Sequence, residues 1–192
     1  MILDVLKTAP DHAVPAPVLA ELTALYAANR EFQALSGDFP DPDDIRPEQV
    51  AAALAQELAN PDTEVLLARS RGRLAGMAIT LARHPDPADP DPWIGLLMVD
   101  PAVHRQGVGR RFAGLVEDRF RAAGRTAVRL AVLDNNPKAL AFWTALGYEI
   151  VAHRRDRALD RPCAVLCKPL RTPRRAARGA VVDSEGAVLP FR

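Results

Sequence analysis

The chain has 192 residues, of which 48% are hydrophobic and 26% charged, with a formal net charge of +1. That is enough chain for one ordinary domain with a buried core, and too little net charge to recruit nucleic acid or an anionic membrane. No apolar run approaches the ~20 residues of a membrane span and no secretion signal opens the chain, so a cytoplasmic protein without nucleic-acid or membrane partners is expected.

In chain order, residues 1–7 read as a first strand. After Pro15 and Pro17, the residues Val18, Leu19, Leu22, Leu25 and Tyr26 fall at helical spacing and predict one helix ending before Gly37. Residues 36–48, SGDFPDPDDIRPE, predict an irregular loop. Pro47 then suits the first turn of a second helix carrying Val50, Leu54 and Leu58, which Asn60-Pro61 stop. Residues 64–70 and 74–83 read as two strands joined at Arg71-Gly72-Arg73. The segment 84–92, HPDPADPDP, is too proline-rich for regular structure and predicts a solvated excursion, either a linker or a flexible lid.

Residues 93–124 hold the organising pattern of strand, loop and helix. An apolar strand, Ile94 to Val99, ends at Asp100-Pro101, and Phe112, Leu115, Val116 and Phe120 then keep helical spacing until Gly124. The helix must therefore start within Gln106-Gly107-Val108-Gly109-Arg110, where unpaired N–H groups and the positive end of the dipole favour an anion. Glycines allow close approach, and Arg105, Arg110 and Arg111 add charge of the right sign. An ordinary glycine-bearing turn with scattered arginines is the plain alternative. A nucleotide-hydrolysing loop would need Gly-Lys-Ser/Thr where Gly109 is followed by arginines, and the dinucleotide fingerprint needs a small residue at Phe112. Both fail, which leaves a different pyrophosphate ligand.

Residues 126–133 read as an inner strand, and Asn136 with Pro137 marks the start of a helix carrying Leu140, Trp143 and Leu146. Residues 148–152 and 163–170 close the pattern as two strands. In these, Cys163 and Cys167 would sit about 13 Å apart, too far for a disulfide and without companions for zinc. They read as buried thiols, and no metal is expected. Residues 171–192 form a basic C-terminal extension to a 1–170 domain; a solvated or partner-packed tail fits its short run better than a nucleic-acid arm.

Two stretches together resemble the GCN5-related N-acetyltransferase (GNAT) superfamily over residues 64–170. His104-Arg105-Gln106-Gly107-Val108-Gly109, led by Val99-Asp100-Pro101, is similar to Gln/Arg-x-x-Gly-x-Gly/Ala and departs from it at His104. Residues 136–148, from Asn136 through Phe142-Trp143 to Gly147-Tyr148, are similar to Asn-x-x-Ala-x-x-Phe-Tyr-x-x-x-Gly-Phe. The resemblance implies an α/β fold with a mostly antiparallel mixed sheet, a splayed parallel strand pair and helices on both faces. It implies acetyl-CoA as co-substrate, with Leu97, Met98 and Val99 offering main-chain groups to the pantetheine arm and acetyl carbonyl. Arg105, Gln106, Gly107, Val108, Gly109 and Arg110 would bind the pyrophosphate, Asn136 would face the cofactor, and Phe142 would pack on it or belong to the core.

The implied reaction is acetyl transfer to a primary amine of a small molecule or peptide by direct attack in a ternary complex. No catalytic residue is assigned: Trp143 stands where relatives carry a tyrosine acid, Tyr26 and Tyr148 read as packing residues, and Asp100, Glu31 and His84 are bases only in being titratable. The aspartates Asp38, Asp41, Asp43 and Asp44 could attract a cationic acceptor or simply be solvated. Relatives often pair, which makes a homodimer an expectation. Two other readings remain open: a catalytically silent acyl-CoA-binding or sensing module, and an interaction protein using the basic tail.

Overall fold

The computed structural model describes residues 1–9, 13–87, 89–156 and 159–170. The basic extension from residue 171 lies outside the described residues, and the expectations for it stay as stated. Chain order runs β1 (Ile2–Val5), α1 (Ala16–Ala28), α2 (Arg30–Ser36), α3 (Pro47–Leu58), β2 (Thr63–Ser70), β3 (Arg73–Leu81), β4 (Trp93–Val99), a 3-10 turn (Pro101–Val103), α4 (Val108–Ala122), β5 (Ala127–Leu133), α5 (Pro137–Ala145), β6 (Glu149–Arg155) and β7 (Pro162–Pro169). The strands form one sheet in the order β1-β2-β3-β4-β5-β7-β6, antiparallel throughout except for β4 beside β5.

Three expectations about elements are corrected. The helix expected to run through to Gly37 is two helices that part at Asn29, whose side-chain amide donates to Leu25 O at 2.9 Å. A side chain that takes a carbonyl of the ladder offers the backbone a way out of the helix. β6 runs on to Arg155 through charged residues because Arg154 and Arg155 pair with Cys163 and Pro162 of β7, while its other edge faces solvent. The excursion 84–92 is not merely solvated: the Asp89 side chain has no exposed surface and is bound by Arg129 of β5 at 2.7 Å and Arg154 of β6 at 2.5 Å.

Helices cover both faces. Phe112, Val116 and Phe120 of α4, with Trp143 of α5, pack on Val128, Leu130 and Val132 of β5 and on Leu166 of β7. On the opposite face, Leu22, Leu25 and Tyr26 of α1 and Val50 and Leu54 of α3 pack on Val65, Met77 and Ile79. Each large side chain so buried contributes about 1.5–3 kcal/mol. Gly76 on β3 lets the layers meet, since a Cβ there would stand 2.6 Å from Met98 O and 3.3 Å from the Phe112 ring.

The feature that positions a site is a fault in β4. Its register against β3 runs Thr80↔Ile94 and then Ile79↔Leu96, so Gly95 is an unpaired bulge. The bulge reverses side-chain parity: Ile94 joins the α4 core, while Leu96 and Met98 join the α1–α3 core. At the same point β4 parts from β5, because their pairing stops after Trp93↔Arg129 and Ile94↔Leu130.

Candidate functional site

Beyond Ile94 the edge of β4 that faces β5 is open. Asp100 N donates to Ala75 O at 2.9 Å, which makes Met98 and Met77 the preceding hydrogen-bonded pair. The peptide groups of Met98 are thus used on β3, and those of Leu97 and Val99 point into the gap. Among Leu97, Met98 and Val99, strand alternation turns the peptide groups of Met98 toward β3 and those of its two neighbours away from it. Val99 O already has a partner, since Nε2 of His104 lies 3.0 Å away. A carbonyl only accepts, so that nitrogen carries the proton.

The chain leaves the gap through a tight loop. Asp100 Oδ1 accepts from Ala102 N at 2.9 Å, and Gln106 Nε2 folds back onto Ala102 O at 3.3 Å. Arg105 and Gly107 both have positive φ, 61° and 76°, and Gly107 is the N-cap of α4. The first bond back to the cap is Arg111 N to Gly107 O at 3.0 Å, so the N–H groups of Val108, Gly109 and Arg110 have no acceptor within the helix. Arg105, Arg110 and Arg111 have no carboxylate partner among the described residues, although most other arginines are paired. Two cations in the first turn oppose the helix dipole, an arrangement that an anion would stabilise. The loop therefore has the unpaired donors and the positive charge that a pyrophosphate needs.

Across the gap, Asn136 Oδ1 accepts from Ala139 N at 3.0 Å and caps α5. Its Nδ2 has no partner among the described residues, and the side chain lines a groove of about 310 Å³ with His104, Pro101, Phe32, Leu35 and Lys138. Phe142 is half-buried against Gly109, whose added Cβ would stand 3.3 Å from its ring. Trp143 lies in the core, 5.0 Å from both the Phe142 and Tyr148 ring centres.

The titratable groups are largely committed elsewhere. Tyr26 and Tyr148 are 5% and 1% exposed, and burial pushes both phenols far above their ordinary range. Tyr148 donates to Glu117, which Lys168 also holds at 2.8 Å. Glu31 pairs with Lys138 at 2.5 Å. His84 stacks on Trp93, its Nδ1 accepting from Asp86 N at 3.1 Å. In the acidic loop, Asp38 pairs with Arg161 at 2.9 Å and Asp44 with Arg46 at 3.8 Å, while the Arg30 hydrogen bond holds Asp43 below the usual carboxylate range. Most of that loop's negative charge is thereby answered within the protein. Burial pushes the Cys163 and Cys167 thiols up. Among the described residues no group of His, Cys, Asp or Glu converges as a metal site, and no helix is long and apolar enough to cross a membrane.

Sequence reasoning missed Gln33, Arg161 and the Asp89 cluster. Each acquires its meaning from partners 40 to 125 positions away, so no local pattern could have marked it.

A family model described as the acetyltransferase (GNAT) family matches residues 27–148. The N-alpha-acetyltransferase RimI of Mycobacterium tuberculosis is 33% identical over 150 residues, which cover 77% of this chain and 86% of that protein. An uncharacterized protein of Mycobacterium leprae is 35% identical over 128 residues, 66% of this chain; the match spans only 32% of that longer relative. Among solved structures, an acetyltransferase from Thermus thermophilus shares the fold with a TM-score of 0.65 at 21% identity, covering 88% of this chain and 97% of that one.

Proposed function

The chain belongs to the GNAT family of acetyltransferases, and on that premise we propose that it transfers the acetyl group of acetyl-CoA to a primary amine by direct attack. The observation that carries the proposal is the parting of β4 from β5 after Ile94, in line with the open N-terminus of α4. An acyl thioester supplies the activated acetyl group. In this reading the N–H groups of Val108, Gly109 and Arg110 and the side chains of Arg105 and Arg110 hold the diphosphate, with Gln106 and Gly107 shaping the loop around it. The peptide groups of Leu97 and the N–H of Val99 meet the pantetheine amides and the developing oxyanion, where a fixed donor stabilises charge as it forms. Asn136 offers Nδ2 from the far side, and Phe142 fixes the start of α4 through Gly109.

The amine attacks in its neutral form and passes its proton to water, since Glu31, Asp100 and His84 are each held in other contacts. Indole at Trp143 does not protonate a thiolate, so coenzyme A leaves as the thiolate. We take the α-amine of a polypeptide as the first acceptor, because the 33% identical relative is an N-alpha-acetyltransferase.

Release of free thiol from acetyl-CoA tests the proposal, with a heptapeptide bearing N-terminal alanine, a polyamine and an aminoglycoside as acceptors. Amine-dependent release is expected, and the peptide should react fastest. A silent acyl-CoA-binding module, which Trp143 favours, predicts calorimetric binding of acetyl-CoA with no thiol released. Absence of any binding would remove both readings.

A further inference from the structure

Helix α2 precedes the β2–β4 half of the sheet in the chain, yet its polar contacts reach across the gap. Glu31 meets Lys138 of α5, Leu35 O accepts from Asn135 at 3.1 Å, and Arg161 of the β6–β7 connection donates to Ser36 O and to Asp38. The helix is a strap over the place where β4 and β5 part.

Gln33 is on the buried face of this strap, 1% exposed. Its Nε2 lies 3.5 Å from Tyr26 O and 3.8 Å from Met98 Sδ, and its Oε1 has no hydrogen-bond partner. The orientation of the carboxamide follows from chemistry: turned over, it would set its oxygen against Tyr26 O, and neither can donate. A buried amide oxygen without a donor is unfavourable, and native proteins rarely keep one without a reason. The other fully buried side-chain atoms without a partner among the described residues are Thr63 Oγ1 on β2 and Trp93 Nε1 at the paired end of β4. Of the three, Gln33 is the one that touches β4 beyond Ile94, where it has parted from β5, through Met98 Sδ.

We propose that Gln33 is a ligand-binding residue whose Oε1 accepts a hydrogen bond from an N–H group of a ligand lying in the gap beside Met98. The inference rests on the acetyl-transfer reading and deepens it. Two ligand groups have that chemistry, the amides of the pantetheine arm and the acceptor amine, and one experiment separates them.

Gln33→Met keeps the length of the side chain and removes its amide. The readouts are the calorimetric Kd for acetyl-CoA, the KM for the N-terminal alanine heptapeptide, and Tm. Because the orphaned oxygen is gone, Tm should hold or rise, while one of the two constants should weaken about tenfold. A weakened Kd assigns the donor to the pantetheine arm; a weakened KM with Kd intact assigns it to the amine. Gln33→Leu carries the same comparison should the methionine variant fail to fold. If Kd and KM both match the parent, the proposal is overturned, and a drop in Tm alone would make Gln33 structural. A parent protein that binds no acetyl-CoA overturns the acetyl-transfer reading itself, before any variant is made.

Discussion

The ring of Phe142 lies so close to Gly109 that a methyl group on that glycine would stand 3.3 Å from Cε2. Two motifs about thirty residues apart in sequence thus meet, one supplying the loop at the start of α4 and the other the wall behind it. Enlarging Gly109 must move either the ring or the helix start. Gly109→Val should weaken acetyl-CoA binding at least tenfold by calorimetry, whereas the overpacking itself costs about 1–3 kcal/mol of stability. A variant with parental Kd would detach this contact from the site.

The unpaired arginines at the start of α4 give a prediction of opposite signs. Arg110 opposes the helix dipole, so Arg110→Gln should raise the stability of the ligand-free protein by about 0.3–1 kcal/mol in thermal melts. The same change should weaken acetyl-CoA binding and flatten its dependence on salt, since one charge pair fewer is screened. Loss of stability together with unchanged binding would contradict the anion-site reading of this turn.

Asn136 has two separable tasks. Its Oδ1 caps α5, and Nδ2 is left for a ligand. Asn136→Ala loses the cap, about 1 kcal/mol, and the ligand contact together. Asn136→Asp keeps a capping oxygen but has no donor, so Tm should stay near the parent value while Kd for acetyl-CoA rises. Parental Kd in the aspartate variant would leave Asn136 a cap and nothing more.

Asp89 predicts an acid-sensitive fold. The hydrogen bond from Arg154 holds its carboxyl below the ordinary range, against the opposing effect of burial, with Arg129 adding to the same side. A depressed carboxylate stabilises the fold fully above its unfolded pKa of about 3.9 and loses that contribution as pH falls through the folded value. Thermal melts should therefore drop more steeply below pH 4 in the parent than in Asp89→Asn. At pH 7 the variant should lose about 1–3 kcal/mol, the worth of a hydrogen bond to a charged group, because Arg129 keeps Asp91 and both guanidinium groups are partly exposed to water. Parallel melting curves would show that the cluster is not coupled to folding.

What the amino-acid order determined by itself is local. Periods of 3.6 and 2 placed most of the helices and strands, Gly107 and Gly124 bounded α4, and Asn136-Pro137 opened α5. The two motif stretches pointed to the diphosphate loop because that chemistry depends on neighbouring peptide groups. Only the tertiary structure decided that the bulge at Gly95 coincides with the parting of β4 from β5, that Met98 turns its peptide to β3, and that Asp89 is buried between two arginines. It likewise brought Arg161 to Ser36 and left Oε1 of Gln33, on the buried face of α2, unanswered. These depend on register and on contacts between distant segments, and a hydrogen bond or ion pair across a hundred residues leaves no periodic trace in the chain that makes it.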